Sequence, residues 1–343
     1  MKEGFKKVLL LVLALTMVVT LALGCSKTEP APAANTSEEP AAPETKKMKV
    51  SVILSGPISD MSWNATAYNG LKKIEALGAE ISYQENVPVS SLADSINTYG
   101  SEGYDVVFLS TNSYEDIGAQ YAPQYPDTQF ILINGKASHG DNLVALQIAD
   151  EQQGFLMGTA AALMSKTRSV GFVGGSEIPP IINGRKGFEQ GAKYIDESVK
   201  VNATLIGNMD NVNQAKETAK AIIESGADVV SPMCNAASLG VLQAAEESAS
   251  AKTVGSSVGQ EKNAPKSMAI NIGKDTSIAY ETAYKNFLAG KLGKEVVKMG
   301  AAEGVIFLTE WFDAAKDVPN DVREKLKVIY NDLAAGKITI NLN

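Results

Sequence analysis

The chain has 343 residues, with 31 Lys and Arg against 39 Asp and Glu and 45% hydrophobic residues. This is an ordinary globular composition, long enough for two domains of about 150 residues each. Two cysteines and a single histidine exclude a disulfide framework and a His-rich metal centre, so no metal and no cofactor is expected. The net charge of −8 excludes the basic face that nucleic-acid phosphates require.

Lys2, Lys6 and Lys7 precede an uncharged apolar run from Val8 to Leu23. That run is shorter than the roughly 20 residues a spanning helix needs, and it reads as an export signal over residues 1–24. It ends in Leu21-Ala22-Leu23-Gly24-Cys25, which resembles the lipobox of bacterial lipoproteins although Ala22 stands where that pattern usually has Leu. The resemblance makes Cys25 the acylated first residue of the exported chain, anchored by lipid to the outer face of a membrane. Residues 25–47 hold prolines, alanines, Ser, Thr and Glu with no large apolar side chain, so they are expected to stay disordered as a tether. A flexible coil of that length spans on the order of 25–30 Å.

From Lys49 onward short β-branched runs alternate with helical stripes. Strands are predicted at Val50–Leu54, Asp105–Ser110, Gln129–Asn134, Leu143–Ile148, Val170–Val173, Asp228–Ser231 and Met268–Ile272. Apolar stripes at Ala67, Leu71 and Ile74, at Leu92, Ile96 and Tyr99, and at Val322, Leu326, Ile329 and Leu333 mark helices, the last stopped by Gly336. Near-continuous apolar strands between helices imply parallel sheets covered on both faces, hence α/β architecture with two doubly wound lobes.

An internal repeat supports two lobes of one design. Gly103-Tyr-Asp-Val-Val107 and Gly226-Ala-Asp-Val-Val230 share a pattern, and each is followed at the same offset by an asparagine, Asn112 or Asn235. Turn chemistry common to βα units also produces such a pattern. Ligands of open parallel sheets bind beyond the carboxyl ends of the strands, so Asn112 and Asn235 are expected to face a crevice from opposite lobes.

Catalytic signatures are lacking. His139 lies in Ala-Ser-His-Gly-Asp, a turn composition, and no Gly-x-Ser-x-Gly elbow accompanies it. The glycines of Gly171-Phe-Val-Gly-Gly175 match neither a dinucleotide nor a phosphate loop. Asp150 and Glu151 stand at a helix start, where acidic residues suit the helix dipole. The chain is therefore read as a binding protein and not an enzyme.

Ser59-Asp60-Met61-Ser62-Trp63-Asn64, Gln153-Gly-Phe-Leu-Met-Gly158, Val170-Gly-Phe-Val-Gly-Gly175 and Gly187-Phe-Glu-Gln-Gly191, taken in order with Gly103–Val107, resemble the basic membrane protein family. That resemblance covers residues 48–343 and implies a lipoprotein of an ABC importer with a type I periplasmic-binding-protein fold, in which three crossings join the lobes. Crossings are expected near Ile148–Glu151, Gly255–Ser257 and Ile272–Asp275. The lobes would then be residues 48–149 plus 257–295 and residues 150–256 plus 296–343. The implied partners are a small-molecule purine or related heterocycle and the permease and ATPase subunits of the importer, with the protein acting as a monomer.

By the same resemblance the base-stacking aromatic falls at Trp63, beside Asn64 and following Asp60. Trp63 also lies on the stripe of Ala67, Leu71 and Ile74, so core and crevice are both open to it. Tyr114 is the expected second aromatic and Asp116 the acid of the next loop. Nucleoside-binding members carry an Asp that takes up ribose hydroxyls where this chain has Ser257, in Gly255-Ser-Ser-Val-Gly-Gln260. A hydroxyl lacks the charge-assisted strength of a carboxylate, which favours a nucleobase over a nucleoside. Further lining is expected near Ile178–Asn183 and Met209–Asp210. A sugar, on which Trp63 would also stack, and a sensory role for a membrane receptor are the alternatives.

Overall fold

The computed structural model describes residues 47–59 and 63–343, so the export signal, Cys25, the tether up to residue 46 and Asp60 lie outside the described residues. The first half of the described chain runs β1 (Lys49–Ile53), α1 (Trp63–Ala76), β2 (Glu80–Gln84), α2 (Leu92–Ser101), β3 (Val106–Leu109), α3 (Glu115–Tyr121), β4 (Gln129–Ile133) and β5 (Leu143–Ile148). Next come α4 (Asp150–Met164), β6 (Ser169–Gly174), α5 (Pro179–Ile195), β7 (Lys200–Leu205), α6 (Val212–Glu224), β8 (Val229–Met233), α7 (Ser238–Glu247), β9 (Lys252–Gly255) and β10 (Met268–Lys274). The chain ends in α8 (Ser277–Leu288), β11 (Val297–Met299), β12 (Ile306–Leu308) and α9 (Asn320–Ala334).

Two six-stranded sheets result, ordered β11-β5-β4-β3-β1-β2 and β12-β10-β9-β8-β6-β7. Every pairing is parallel except that of β10 with β12. In each lobe the second strand lies outside the first and the later strands extend the other way, which is the doubly wound order with a topological switch at its first and third strands. The inner strands β3, β6 and β8 are buried along their whole length, as strands covered on both faces must be. The outer strands β2 and β7 are polar and half-exposed, so the sequence reading passes them over.

The Gly-x-Asp-Val-Val repeat occupies equivalent places. Gly103 (φ 68°) and Gly226 (φ 104°) both take the left-handed conformation just after α2 and α6, a conformation that favours glycine. Asp105 accepts the backbone N–H of Lys49 at 2.7 Å, while Asp228 accepts those of Lys166 at 2.6 Å and Thr167 at 3.1 Å. Each aspartate thus ties the entry of the third strand to the entry of the first. The repeat is a shared construction and not only shared turn chemistry.

The family-like glycine motifs also have a packing reason. A Cβ on Gly154 would stand 1.9 Å from the Gly184 carbonyl oxygen and one on Gly158 would stand 2.0 Å from that of Phe188, so α4 and α5 touch backbone to backbone. Side chains larger than hydrogen would push the helices apart. Being wrapped by α5, α9 and the second sheet, α4 is buried nearly all round.

The crossings differ from expectation at one place. β9 and β10 lie side by side in the second sheet, with Asn271 opposite Gly255, so residues 257–274 belong to the second lobe and the chain does not cross at Gly255–Ser257. β11 instead pairs with β5, Met299 opposite Ile148, which returns residues 297–299 to the first lobe. The sheet changes therefore fall after Ile148, after Lys274 and between Met299 and Ile306. The cause is that β9 and β10 are joined without an α-helix, by a loop holding only a short 3-10 turn, so a within-sheet connection looks like an exit.

Candidate functional site

The carboxyl ends of β1 and β3 carry the first-lobe candidates. Trp63 opens α1 half-buried, and its indole Nε1 donates to the carbonyl of Ser110, the residue after β3, at 2.7 Å. That bond fixes the edge of the ring to the end of the neighbouring strand. Asn64 is buried, and its Oδ1 accepts the N–H of Gly56 at 3.2 Å, so its carbonyl oxygen serves the loop that leads into α1. Asn112 is half-buried at the start of the 3-10 turn after β3, and Asp116 is exposed on the first turn of α3.

Tyr114 is a correction. It is fully buried in the core beneath α2 and α3, and its hydroxyl donates to the Val87 carbonyl at 2.5 Å. Burial pushes its phenol up to about 12. Its ring has no face left for a ligand, because the turn that begins at Asn112 directs its third residue inward.

Glu115, beside it, is a residue the sequence reading did not single out. Its carboxylate receives the backbone N–H groups of Lys136 at 2.9 Å and Ala137 at 3.1 Å, and His139 Nε2 lies at 3.0 Å. Burial alone would raise this carboxyl, but the two N–H groups and the His139 ring outweigh it and hold it below its usual range. The only histidine therefore helps tie the loop after β4 to the helix after β3, a structural role.

The second-lobe candidates stand at the carboxyl ends of β8 and β9. Asn235 is exposed at φ 45°, opening the 3-10 turn after β8, and Ser257 is half-buried in the loop after β9, the next strand of the sheet. The N–H of Ser257 donates to Gln260 Oε1 at 3.2 Å. Met209 wedges between loops: its sulfur accepts the N–H of Ser176 at 3.2 Å and its carbonyl that of Ala237 at 2.9 Å. Ile178 and Val258 leave apolar surface on the same edge, at 38% and 65% exposure.

Between the lobes the first turn of α4 binds the crossings together. Asp150 pairs with Lys274 at 2.8 Å and Glu151 with Lys298 at 2.6 Å. Gln152 Oε1 accepts the N–H of Ala301 at 2.8 Å, and Gln153 Nε2 donates to the carbonyls of Ser256 (2.7 Å) and Ile272 (2.8 Å). Burial pushes the Asp150 carboxyl up, with Lys274 opposing. The sequence reading of Asp150 and Glu151 as dipole partners misses this, because their lysines lie more than a hundred residues away in the chain.

Among the described residues no group of three His, Cys, Asp or Glu side chains is placed to hold a metal ion, and no helix is long and apolar enough to cross a membrane. The arrangement offers a pinned aromatic edge at the strand ends of the first sheet, with amides and hydroxyls at the strand ends of both sheets.

Known proteins of similar sequence and shape agree with a ligand-binding design. Basic membrane protein A2 of Borrelia garinii is 28% identical over 302 residues, covering 86% of this chain and 88% of that one. A purine-binding protein of Brucella abortus is 25% identical, covering 87% of this chain and 84% of that one. An ABC transporter solute-binding protein from Conexibacter woesei has the same fold, with a TM-score of 0.71 at 21% identity over 86% of this chain and 98% of that one. The family model described as ABC transporter substrate-binding protein, PnrA-like, matches residues 47–338, and the chain belongs to that family of solute-binding proteins rather than to any family of enzymes.

Proposed function

We propose that the protein captures a purine between its two lobes and delivers it to the permease of an ABC importer, while a lipid on Cys25 keeps it at the membrane. The observation that carries the ligand class is Trp63, whose indole N–H is engaged by Ser110 at 2.7 Å. With its polar edge occupied, the side chain offers a flat π face in a set orientation at the end of the first sheet, suited to a planar heterocycle. The purine-binding relative from Brucella supports the same class. Asn112 on one lobe and Asn235 and Ser257 on the other supply neutral donors and acceptors for ring edges, and a hydroxyl at 257 favours a nucleobase over a nucleoside. Contacts made to both lobes stabilise the closed form by their differential affinity, and the closed form is the one a permease receives.

The test is a thermal-shift panel on detergent-extracted full-length protein freed of bound ligand by exhaustive dialysis. Adenine, guanine or hypoxanthine at a hundredfold excess over Kd should stabilise the native state by about 2.7 kcal/mol, and Trp63→Ala should abolish the shift. A shift with hexoses or pentoses and none with purines would keep the fold and replace the ligand class. For the anchor, labelled fatty acid fed to the cells should be incorporated into the parent protein and not into Cys25→Ala; a parent protein without label would remove the lipid from the reading.

A further inference from the structure

The loop after β9 is held by its own side chains. Gln260 Oε1 accepts the N–H groups of Ser256 at 2.9 Å and Ser257 at 3.2 Å. Glu261 Oε2 accepts the N–H of Gly259 at 2.9 Å and Nδ2 of Asn271 at 3.0 Å. Both donors reach the same oxygen of Glu261. Its other oxygen, Oε1, receives no hydrogen bond among the described residues, and the side chain is half-buried at the carboxyl end of the second sheet.

Asn271 is fully buried in β10, and its Oδ1 has no hydrogen-bond partner among the described residues. It stands where a Cβ on Gly255 would come within 1.8 Å of that oxygen, so the fold keeps glycine at 255 to admit this amide. A buried amide left half-satisfied is costly, and among the described residues the one bond its side chain makes is to Glu261. Ser257 cannot provide an ionised acceptor on this loop, whereas Glu261, four residues on, can.

We propose that Glu261 is the second lobe's charged acceptor for a neutral hydrogen-bond donor of the ligand, held in orientation by Asn271 and Gly259. This rests on the purine reading of the crevice. A carboxylate with one oxygen engaged by two fixed donors and the other open accepts an incoming O–H or N–H without losing much freedom of its own. On a purine that donor is a ribose hydroxyl or an exocyclic amine. Either one gives the second lobe a charge-assisted contact that Ser257, Asn235 and Gln260 do not make.

Titration calorimetry on the detergent-extracted full-length protein, with hypoxanthine, guanine, inosine and 2′,3′-dideoxyinosine as probes, tests it. Glu261→Gln keeps the shape and removes the charge, and it should weaken the donor-bearing ligand by about tenfold or more. Loss for inosine but not dideoxyinosine assigns the ribose hydroxyl, and loss for guanine but not hypoxanthine assigns the amine. Asn271→Ala should narrow the same discrimination while leaving the affinity of the ligand without the donor unchanged, a readout that general loosening of the loop would not produce. Affinities of Glu261→Gln within twofold of the parent for all four probes, at an unchanged ligand-free melting point, would overturn this assignment alone. Failure of all four to bind the parent protein would overturn the purine reading and this assignment with it.

Discussion

The turn after β3 and the turn after β8 are one construction filled in two ways. Each follows the third strand of its sheet, opens with an asparagine, and runs three residues as a 3-10 turn before a helix. The third residue is fully buried in both, yet it is Tyr114 in the first lobe and Ala237 in the second. The space beneath explains the difference. In the first lobe, α2 and α3 sit over a core filled by Tyr99, Tyr114 and Phe130. In the second, a Cβ on Gly240 would stand 2.0 Å from the Val212 carbonyl oxygen, so α6 and α7 pack backbone to backbone and alanines fill the face. Position within a repeated turn decides burial; the chemical type of the residue does not.

The strongest way to break this comparison is Tyr114→Ala, which empties a site that the first lobe cannot close and should cost about 3–5 kcal/mol, read as a lower urea midpoint. A loss below 1 kcal/mol would mean that the ring is not part of the core. The reverse change, Ala237→Tyr, should destabilise by about 1–3 kcal/mol because α6 and α7 leave no room. Unaltered stability there would refute the tighter packing of the second lobe. Tyr114→Phe keeps the ring and removes only the bond to Val87, at a cost of about 1 kcal/mol.

The pH dependence sharpens the same point. The phenol of Tyr114 is raised from 10.0 to about 12 in the folded protein. The unfolded chain therefore ionises first: the stabilisation is complete below about pH 10 and is lost as pH rises toward 12. Tyr114→Phe should flatten part of that alkaline decline, and an unchanged profile would assign the decline elsewhere. The smallest effect concerns the residue before each asparagine, Thr111 in one lobe and Cys234 in the other. Burial pushes the Cys234 thiol up to about 11, so at pH 8 a disulfide reagent should leave the native protein unmodified and react once denaturant is added. Rapid native labelling would reveal local opening of the second-lobe turn.

Much of this was legible in the sequence, for identifiable reasons. Strand periodicity and the Gly-x-Asp-Val-Val repeat marked two lobes because both features act within a few residues. The glycines of 153–158 and 187–191 were visible as motifs, although their use in helix contact was not. What escaped depends on distant partners. Which sheet β10 joins is set by its pairing with β9, and the carboxylate run at 150–151 takes its meaning from Lys274 and Lys298. Tyr114 was misjudged by its type although the repeat already aligned it with Ala237. Glu261 drew no notice because its tie to Asn271 crosses from a loop to a strand.

The three crossings also govern when the molecule can become itself during synthesis. The first sheet lacks its edge until β11 at Val297–Met299 has been made, and the second lacks its own until β12 at Ile306–Leu308. The helix α8, whose Tyr280 ring lies 4.9 Å from Phe108, likewise arrives long after the strand it covers. A growing chain therefore holds five strands of each sheet in waiting, and both sheets gain their sixth strand almost together, because β11 and β12 are neighbours in the sequence.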